Sequence, residues 1–218
     1  MQILAIDSCT EFCSVSLYNN GSKSLRFIDH GSKSSSHLIP LCDEVFKEQG
    51  IDTSELDLII YTKGPGAFTG VRICVGVVQG ISLSHDIPTM GISTLELIGY
   101  SASLKHPNKT ILIAQDARMS EVYWGIYHNQ SLLNEDLDKP TDLLIDRDEL
   151  IGVGTGFKSY SKELHNSTRV EKIDHEIKPV AKDLINLYFD YAKECYSTDN
   201  DIALPQYLRN NVAQKSLK

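Results

Sequence analysis

A hairpin that occurs twice limits the folds open to this chain. Residues 3–7 form an apolar run ending in Asp7, the polar turn Ser8-Cys9-Thr10-Glu11 follows, and residues 13–18 return as a second strand. The pattern restarts at position 111: an apolar run ends in Asp116, a turn occupies 117–120, and residues 122–127 return. Short apolar runs bounded by turn residues read as strands. Self-similarity at so long a period predicts a duplicated domain and not a short-period solenoid. With 218 residues the chain has room for two lobes. They are predicted at 1–106, with two long helices, and at 107–218, smaller and ending in a tail.

Within the first lobe, Asn19-Asn20-Gly21 supplies a tight turn, and residues 25–28 pair as a third strand. The serines at 32–36 offer N-caps for a helix running to about Gln49. Its Leu38, Leu41, Cys42, Val45 and Phe46 recur at the spacing of one apolar helix face. A strand at 56–61, a glycine-rich loop at 64–70, a helix at 69–84, a strand at 88–92 and a helix at 94–104 follow. That alternation predicts a mixed sheet flanked by helices. In the second lobe the pattern weakens to strands near 142–145 and 150–153, a Gly154-Thr155-Gly156 turn, a helix at 180–195 and a tail at 205–213. A cleft between two such lobes is the natural place for a small ligand such as a nucleotide.

Charge narrows the partners. The formal net charge is -8, whereas a chain that holds nucleic acid by its phosphates carries a basic footprint. Any RNA is expected to be held mainly by another chain. No apolar run reaches the roughly 18–20 residues of a membrane span, and the start lacks the basic region of a signal peptide. The five cysteines are odd in number and sit in apolar patterns, which predicts reduced thiols and a cytoplasmic setting.

Few residues offer chemistry. Asp7, Ser8 and Thr10 are the candidate nucleotide contacts, because a carboxylate at a strand end followed by hydroxyls suits a hydrated metal and phosphates. The same residues also close a turn by bonding to backbone N–H groups, and no glycine next to the acid lets a phosphate approach. The loop at 64–70 lacks the Gly-Lys-Ser/Thr of a Walker loop and reads as a tight strand-to-helix turn. None of the seven histidines falls in a His-Glu-x-x-His pair, and no Gly-x-Ser-x-Gly elbow occurs. Neither a metal site nor a catalytic residue is predicted. The helix from Thr69 places Gly76 and Gly80 four apart on one face, where a second helix can come close. Each glycine costs about 1 kcal/mol against alanine in a helix, so the pair serves packing, either within the chain or against a partner. With Arg72, Ile73, Val77 and the apolar face of the preceding helix, they make a candidate partner interface.

Five stretches together resemble the bacterial TsaB (YeaZ) family: Ile-Asp-Ser-Cys-Thr-Glu at 6–11, Gly-Pro-Gly-Ala-Phe-Thr-Gly-Val-Arg at 64–72, Gly-Ile-Ser-Thr-Leu-Glu at 91–96, Asp-Ala-Arg-Met-Ser-Glu-Val-Tyr-Trp at 116–124 and Tyr-Leu-Arg-Asn-Asn-Val-Ala at 207–213. They occur in family order and span almost the whole chain. The first departs from the family's usual Asp-Thr-Ser-Thr. The resemblance implies a two-lobed actin-like ATPase (ASKHA) fold. It also implies a role in transferring threonylcarbamoyl to the N6 of the adenine next to the anticodon, in tRNAs reading codons that begin with adenine. The family is similar to a catalytic paralogue, TsaD, with a His-Met-Glu-Gly-His metal pair. Here the stretch reads Thr94-Leu95-Glu96-Leu97-Ile98, so both imidazoles are replaced and that metal is not expected. The resemblance further implies that the two long helices pair with TsaD or with a second copy. It makes Asp116, Arg118 and Glu121 the candidate contact for the ATPase subunit TsaE. ATP and metal then belong to the partners, tRNA contact is indirect, and the chain is an accessory scaffold. The rival expectation is a free-standing actin-like ATPase or kinase, or an M22-type metallopeptidase.

Overall fold

A computed structural model describes residues 1–29, 36–195 and 202–209. Each predicted hairpin opens a five-stranded sheet. The first sheet holds β1 (Gln2–Asp7), β2 (Phe12–Asn19), β3 (Ser22–Asp29), β4 (Leu58–Thr62) and β5 (Thr89–Ile92) in the order β3-β2-β1-β4-β5. The second holds β6 (Thr110–Asp116), β7 (Val122–His128), β8 (Ser131–Asp138), β9 (Ile145–Val153) and β10 (Thr168–Asp174) in the order β10-β9-β6-β7-β8. Counted from each hairpin, the two orders are the same. In both, the first strand runs antiparallel to the second and parallel to the fourth. The duplication read from the hairpins therefore extends to whole sheets.

The strands α-helices cover read as continuous apolar runs because both faces are buried. Along β1 the period of two divides the side chains. Ile3 and Ala5 join a core between the two sheets, while Leu4 and Ile6 join a core under the long helices. Those helices are α1 (Leu38–Gln49) and α2 (Phe68–His85). α1 ends at Gly50, whose φ of 65° is the left-handed conformation glycine accepts at a helix end. Ser32 to Ser35, predicted as caps, lie outside the described residues. His37 is the cap residue of α1, and its side chain makes no cap bond.

The interlobe core is built by exchange. α3 (Thr94–Lys105) starts at Ser93, whose hydroxyl accepts from the Leu95 amide at 3.2 Å. It follows the first sheet in the chain yet packs on β6, β7 and β8 of the second. Gly99 allows this approach, since a Cβ there would stand 2.5 Å from Cβ of Tyr127. Reciprocally, α6 (Ala181–Leu187) packs on β1, β2 and β4 of the first sheet and continues through a π turn at Tyr188–Ala192. A boundary near residue 106 separates the sheets, while the helices cross it. Two short helices, α4 (Gly156–Ser159) and α5 (Ser161–Ser167), cover the outer face of the second sheet through Phe157 and Leu164.

Beyond the sequence reading lie β8, β10, α4, α5 and a short 3-10 turn at Thr53–Glu55. Both strands lie at sheet edges, where one covered face is enough and the apolar pattern is thin. Of the two weak strands, the one near 150–153 lies within β9, which begins at Ile145, while 142–144 of the other are turn and irregular chain.

Candidate functional site

The first hairpin turn is closed by its own chain. Asp7 is 0% exposed and Ser8 is buried with it. One oxygen of Asp7 accepts from the Thr62 hydroxyl at 2.6 Å and the Cys9 amide at 3.2 Å. Its other oxygen is buried without a partner. The Ser8 hydroxyl donates to the Gly70 carbonyl at 3.0 Å, and the Thr10 hydroxyl accepts from the Phe12 amide at 3.2 Å. Over this turn lies the glycine loop, held by Ala67 N–H to Cys9 C=O at 2.8 Å. A Cβ on Gly66 would meet the Cys9 carbonyl oxygen at 2.0 Å, and one on Gly70 the Ser8 carbonyl oxygen at 2.1 Å. The glycines serve backbone-to-backbone contact between the loop and the hairpin turn. Of the two readings of this turn, the side chains of Asp7 and Ser8 show the turn-closing one: both are buried and bonded within the chain, and Thr10 bonds the turn's own backbone.

Burial raises the Asp7 carboxyl to about 6 from an ordinary 3.8, against the lowering effect of the Thr62 and Cys9 hydrogen bonds. The folded chain keeps this proton to about pH 6 and the unfolded chain releases it near 3.8, so folding takes up a proton in between. This contribution is therefore full below the unfolded value and is lost as pH rises through the folded one. Asp7→Asn removes it. Denaturant unfolding of both chains is expected to show the variant gaining on wild type by on the order of 2–3 kcal/mol between pH 4 and 7. A difference that stays constant with pH would refute the assignment.

A cavity of about 310 Å³ does open between the lobes, lined by Glu11, Phe12, Asp29, Gln115, Lys158 and Lys178 among others, and not by Asp7, Ser8 or Thr10. Lys178 is paired with Asp29 at 2.8 Å. Thr94 and Ile98, at the paralogue's histidine positions, are buried in α3. Among the described residues, no group of three His, Cys, Asp or Glu stands close enough to hold a metal, and no helix is long and apolar enough to cross a membrane. Cys9, Cys13, Cys42 and Cys74 are free and buried. Burial lifts the Cys13 and Cys42 thiols to about 12, which suppresses thiolate reactivity.

The candidate interface divides into two fates. Leu38, Leu41, Cys42 and Val45 of α1 point into the chain's own core, and Phe46 packs against it half-buried. Leu38, Leu41, Cys42 and Val45 are therefore withdrawn as partner contacts, because β2 and β3 take that face of α1, while the half-buried Phe46 stays a candidate. Among the described residues α2 keeps an exposed face: Arg72, Gly76 and Gly80 are exposed, with Ile73 and Val77 half-buried beside them. A Cβ added at Gly76 or Gly80 would meet nothing within 4 Å. Ile39 of α1, absent from the predicted set, is 67% exposed.

The second hairpin turn is also largely committed. Asp116 accepts from the Arg118 amide at 2.8 Å, the Ser159 hydroxyl at 3.0 Å and the Tyr160 hydroxyl at 3.2 Å. Glu121 pairs with Arg209 at 2.5 Å. Of the three predicted contacts only Arg118 stands out, its side chain 85% exposed. Arg209 was read only as part of the family stretch at 207–213, since nothing local in sequence links a tail arginine to a turn so far upstream.

Two sheets of one strand order, with helices exchanged between them over a shared core, define a two-lobed actin-like protein. The family model described as TsaD, tRNA N6-adenosine threonylcarbamoyltransferase, matches residues 31–216. The tRNA threonylcarbamoyladenosine biosynthesis protein TsaB of Escherichia coli (strain K12) is 34% identical over 230 aligned residues, spanning 100% of this chain and 98% of the relative. TsaB of Buchnera aphidicola subsp. Schizaphis graminum is 35% identical over 202, spanning 86% and 92%. The structure of YeaZ from Pseudomonas aeruginosa superposes with a TM-score of 0.84 at 32% identity, covering 95% of this chain and 99% of that one. The chain belongs to the TsaB (YeaZ) family.

Proposed function

We propose that this chain serves tRNA threonylcarbamoyladenosine biosynthesis as a non-catalytic scaffold. In this reading it pairs helices with the catalytic paralogue TsaD, which transfers threonylcarbamoyl to the N6 of the adenine next to the anticodon. TsaE supplies ATPase activity, a second copy of this chain competes for the same face, and tRNA contacts the chain only indirectly. The names of the relatives support the pathway. The observation that carries the scaffold reading is the exposed face of α2, where Gly76 and Gly80 leave open space at a cost in helix stability that no contact among the described residues repays. The closed turn at Asp7 and Ser8 weighs against the ATPase or kinase alternative.

Gly76→Ala and Gly80→Ala are each expected to stabilise the isolated chain by about 1 kcal/mol, read as a raised thermal midpoint, while weakening its pairing. Gly80→Glu is expected to leave a folded monomer that no longer supports tRNA modification when TsaD, TsaE, ATP and tRNA are supplied. Full modification by that variant would sink the interface, and tight ATP binding with turnover by the isolated chain would sink the scaffold reading. Omitting each component in turn tests the pathway itself.

A further inference from the structure

We propose that residues 202–209 form a strap that couples the two lobes, with Arg209 as its lock on the second hairpin turn. The strap is anchored first on the amino-terminal sheet and α2. Ala203 is buried in the core under the long helices, and its carbonyl accepts from the Gln79 side-chain amide at 2.6 Å. The Leu204 amide donates to the Tyr61 hydroxyl at 3.1 Å, and the Gln206 amide donates to the Lys63 carbonyl at 2.7 Å. The strap then crosses to the other lobe. There the Gln206 side chain donates to Glu135 of β8 at 2.5 Å, and Arg209 reaches the turn between β6 and β7.

That turn needs a lock. Arg118, Met119 and Ser120 are three successive residues with φ of 62°, 55° and 60°, a left-handed run that side chains with a Cβ resist. The turn's own backbone bonds are two, Ala117 N–H to Glu121 C=O at 3.0 Å and Glu121 N–H to Arg118 C=O at 3.1 Å. Arg209, its side chain only 16% exposed, donates to the Ala117 carbonyl at 3.0 Å, to the Arg118 carbonyl at 3.4 Å and to the Glu121 carboxylate at 2.5 Å. All three acceptors share one nitrogen, Nη2, while Nη1 reaches the Met119 sulfur at 3.0 Å and Nε is buried without a partner among the described residues, so both terminal nitrogens of an always-charged group are spent on this one turn. Strained backbone persists where its surroundings over-determine it, and here the surroundings come from the tail.

The strap also touches the exposed face of α2. The Tyr207 hydroxyl accepts from Arg72 at 3.1 Å, and the Arg72 guanidinium lies 3.5 Å over the Phe68 ring. Resting on the scaffold reading, this makes the strap the link through which a partner on α2 and one on the 117–121 turn sense each other. The coupling between turn and tail stands without that reading.

NMR-detected hydrogen exchange on the full, isolated chain tests it. Arg209→Ala is expected to speed exchange at least tenfold at the Ala117, Glu121 and Gln206 amides, leaving β1 and β6 unchanged. Arg209→Lys should give a smaller rise. Tyr61→Phe, which loosens the far anchor at Leu204, should speed exchange at Ala117 and Glu121 across the lobe boundary. Unchanged protection at those two amides in Arg209→Ala overturns the proposal. So does a rise spread equally over β1 and β6 in both variants, which would make Arg209 a general stabiliser. Neither result depends on whether any partner binds α2.

Discussion

Val45→Glu is expected to yield no folded chain, and Leu41→Glu to come close to it. Val45 is 0% exposed and packs with Leu38, Leu41 and Cys42 against the first sheet. A carboxylate there loses its water and finds only apolar neighbours, while the valine's own packing is also lost. Uncompensated burial of a charge in a core costs several kcal/mol, and a domain of this kind has only about 5–15 kcal/mol in total. A surface interface residue behaves oppositely, because the charge stays solvated in the monomer and only assembly suffers. Circular dichroism and thermal melting of the purified variant separate the cases. A well-folded Val45→Glu monomer with a wild-type midpoint would show that this face of α1 is open.

The distinction marks what sequence periodicity carries. The i, i+3, i+4, i+7 spacing on α1 correctly identifies a face that avoids water, but it contains no information about what does the covering. The hairpins were legible because both strands of each are apolar and end in a polar turn, and repetition doubled the signal. Edge strands β8 and β10 lacked it, since Ser131–Asp138 carries four carboxylates or amides on a largely open strand. Among the site residues, the turn at Asp7 was legible as a motif, and the sequence left its turn-closing and phosphate-contacting readings side by side. Whether Asp7 meets water depends on Gly66 and Gly70, residues remote in sequence that settle on Ser8 and Cys9 only in three dimensions. Arg209 is the same problem in reverse: its partners at 117, 118 and 121 are set by tertiary packing alone.

Gly70→Ala should be among the most damaging small substitutions in the chain. The added methyl would stand 2.1 Å from the Ser8 carbonyl oxygen, well inside contact distance, and neither side is free to give way. Ser8 is tied to this point by its own hydroxyl bond to the Gly70 carbonyl, and the adjoining Cys9 carbonyl holds Ala67. Relief requires the start of α2 to lift from the hairpin. Such overpacking against fixed neighbours costs about 1–3 kcal/mol or more, and lifting the loop also opens the space over Asp7. Equilibrium unfolding is therefore expected to show a loss of about 3 kcal/mol. Water reaching Asp7 should also move its carboxyl back toward the ordinary range, flattening the gain of Asp7→Asn between pH 4 and 7. The same glycine-to-alanine change six residues along the same helix, at Gly76, is expected to stabilise. Opposite signs within one helix would separate the glycine that packs the chain on itself from the glycine that leaves room for something else. If both changes stabilise, the loop does not press on the hairpin, and the site at Asp7 is open after all.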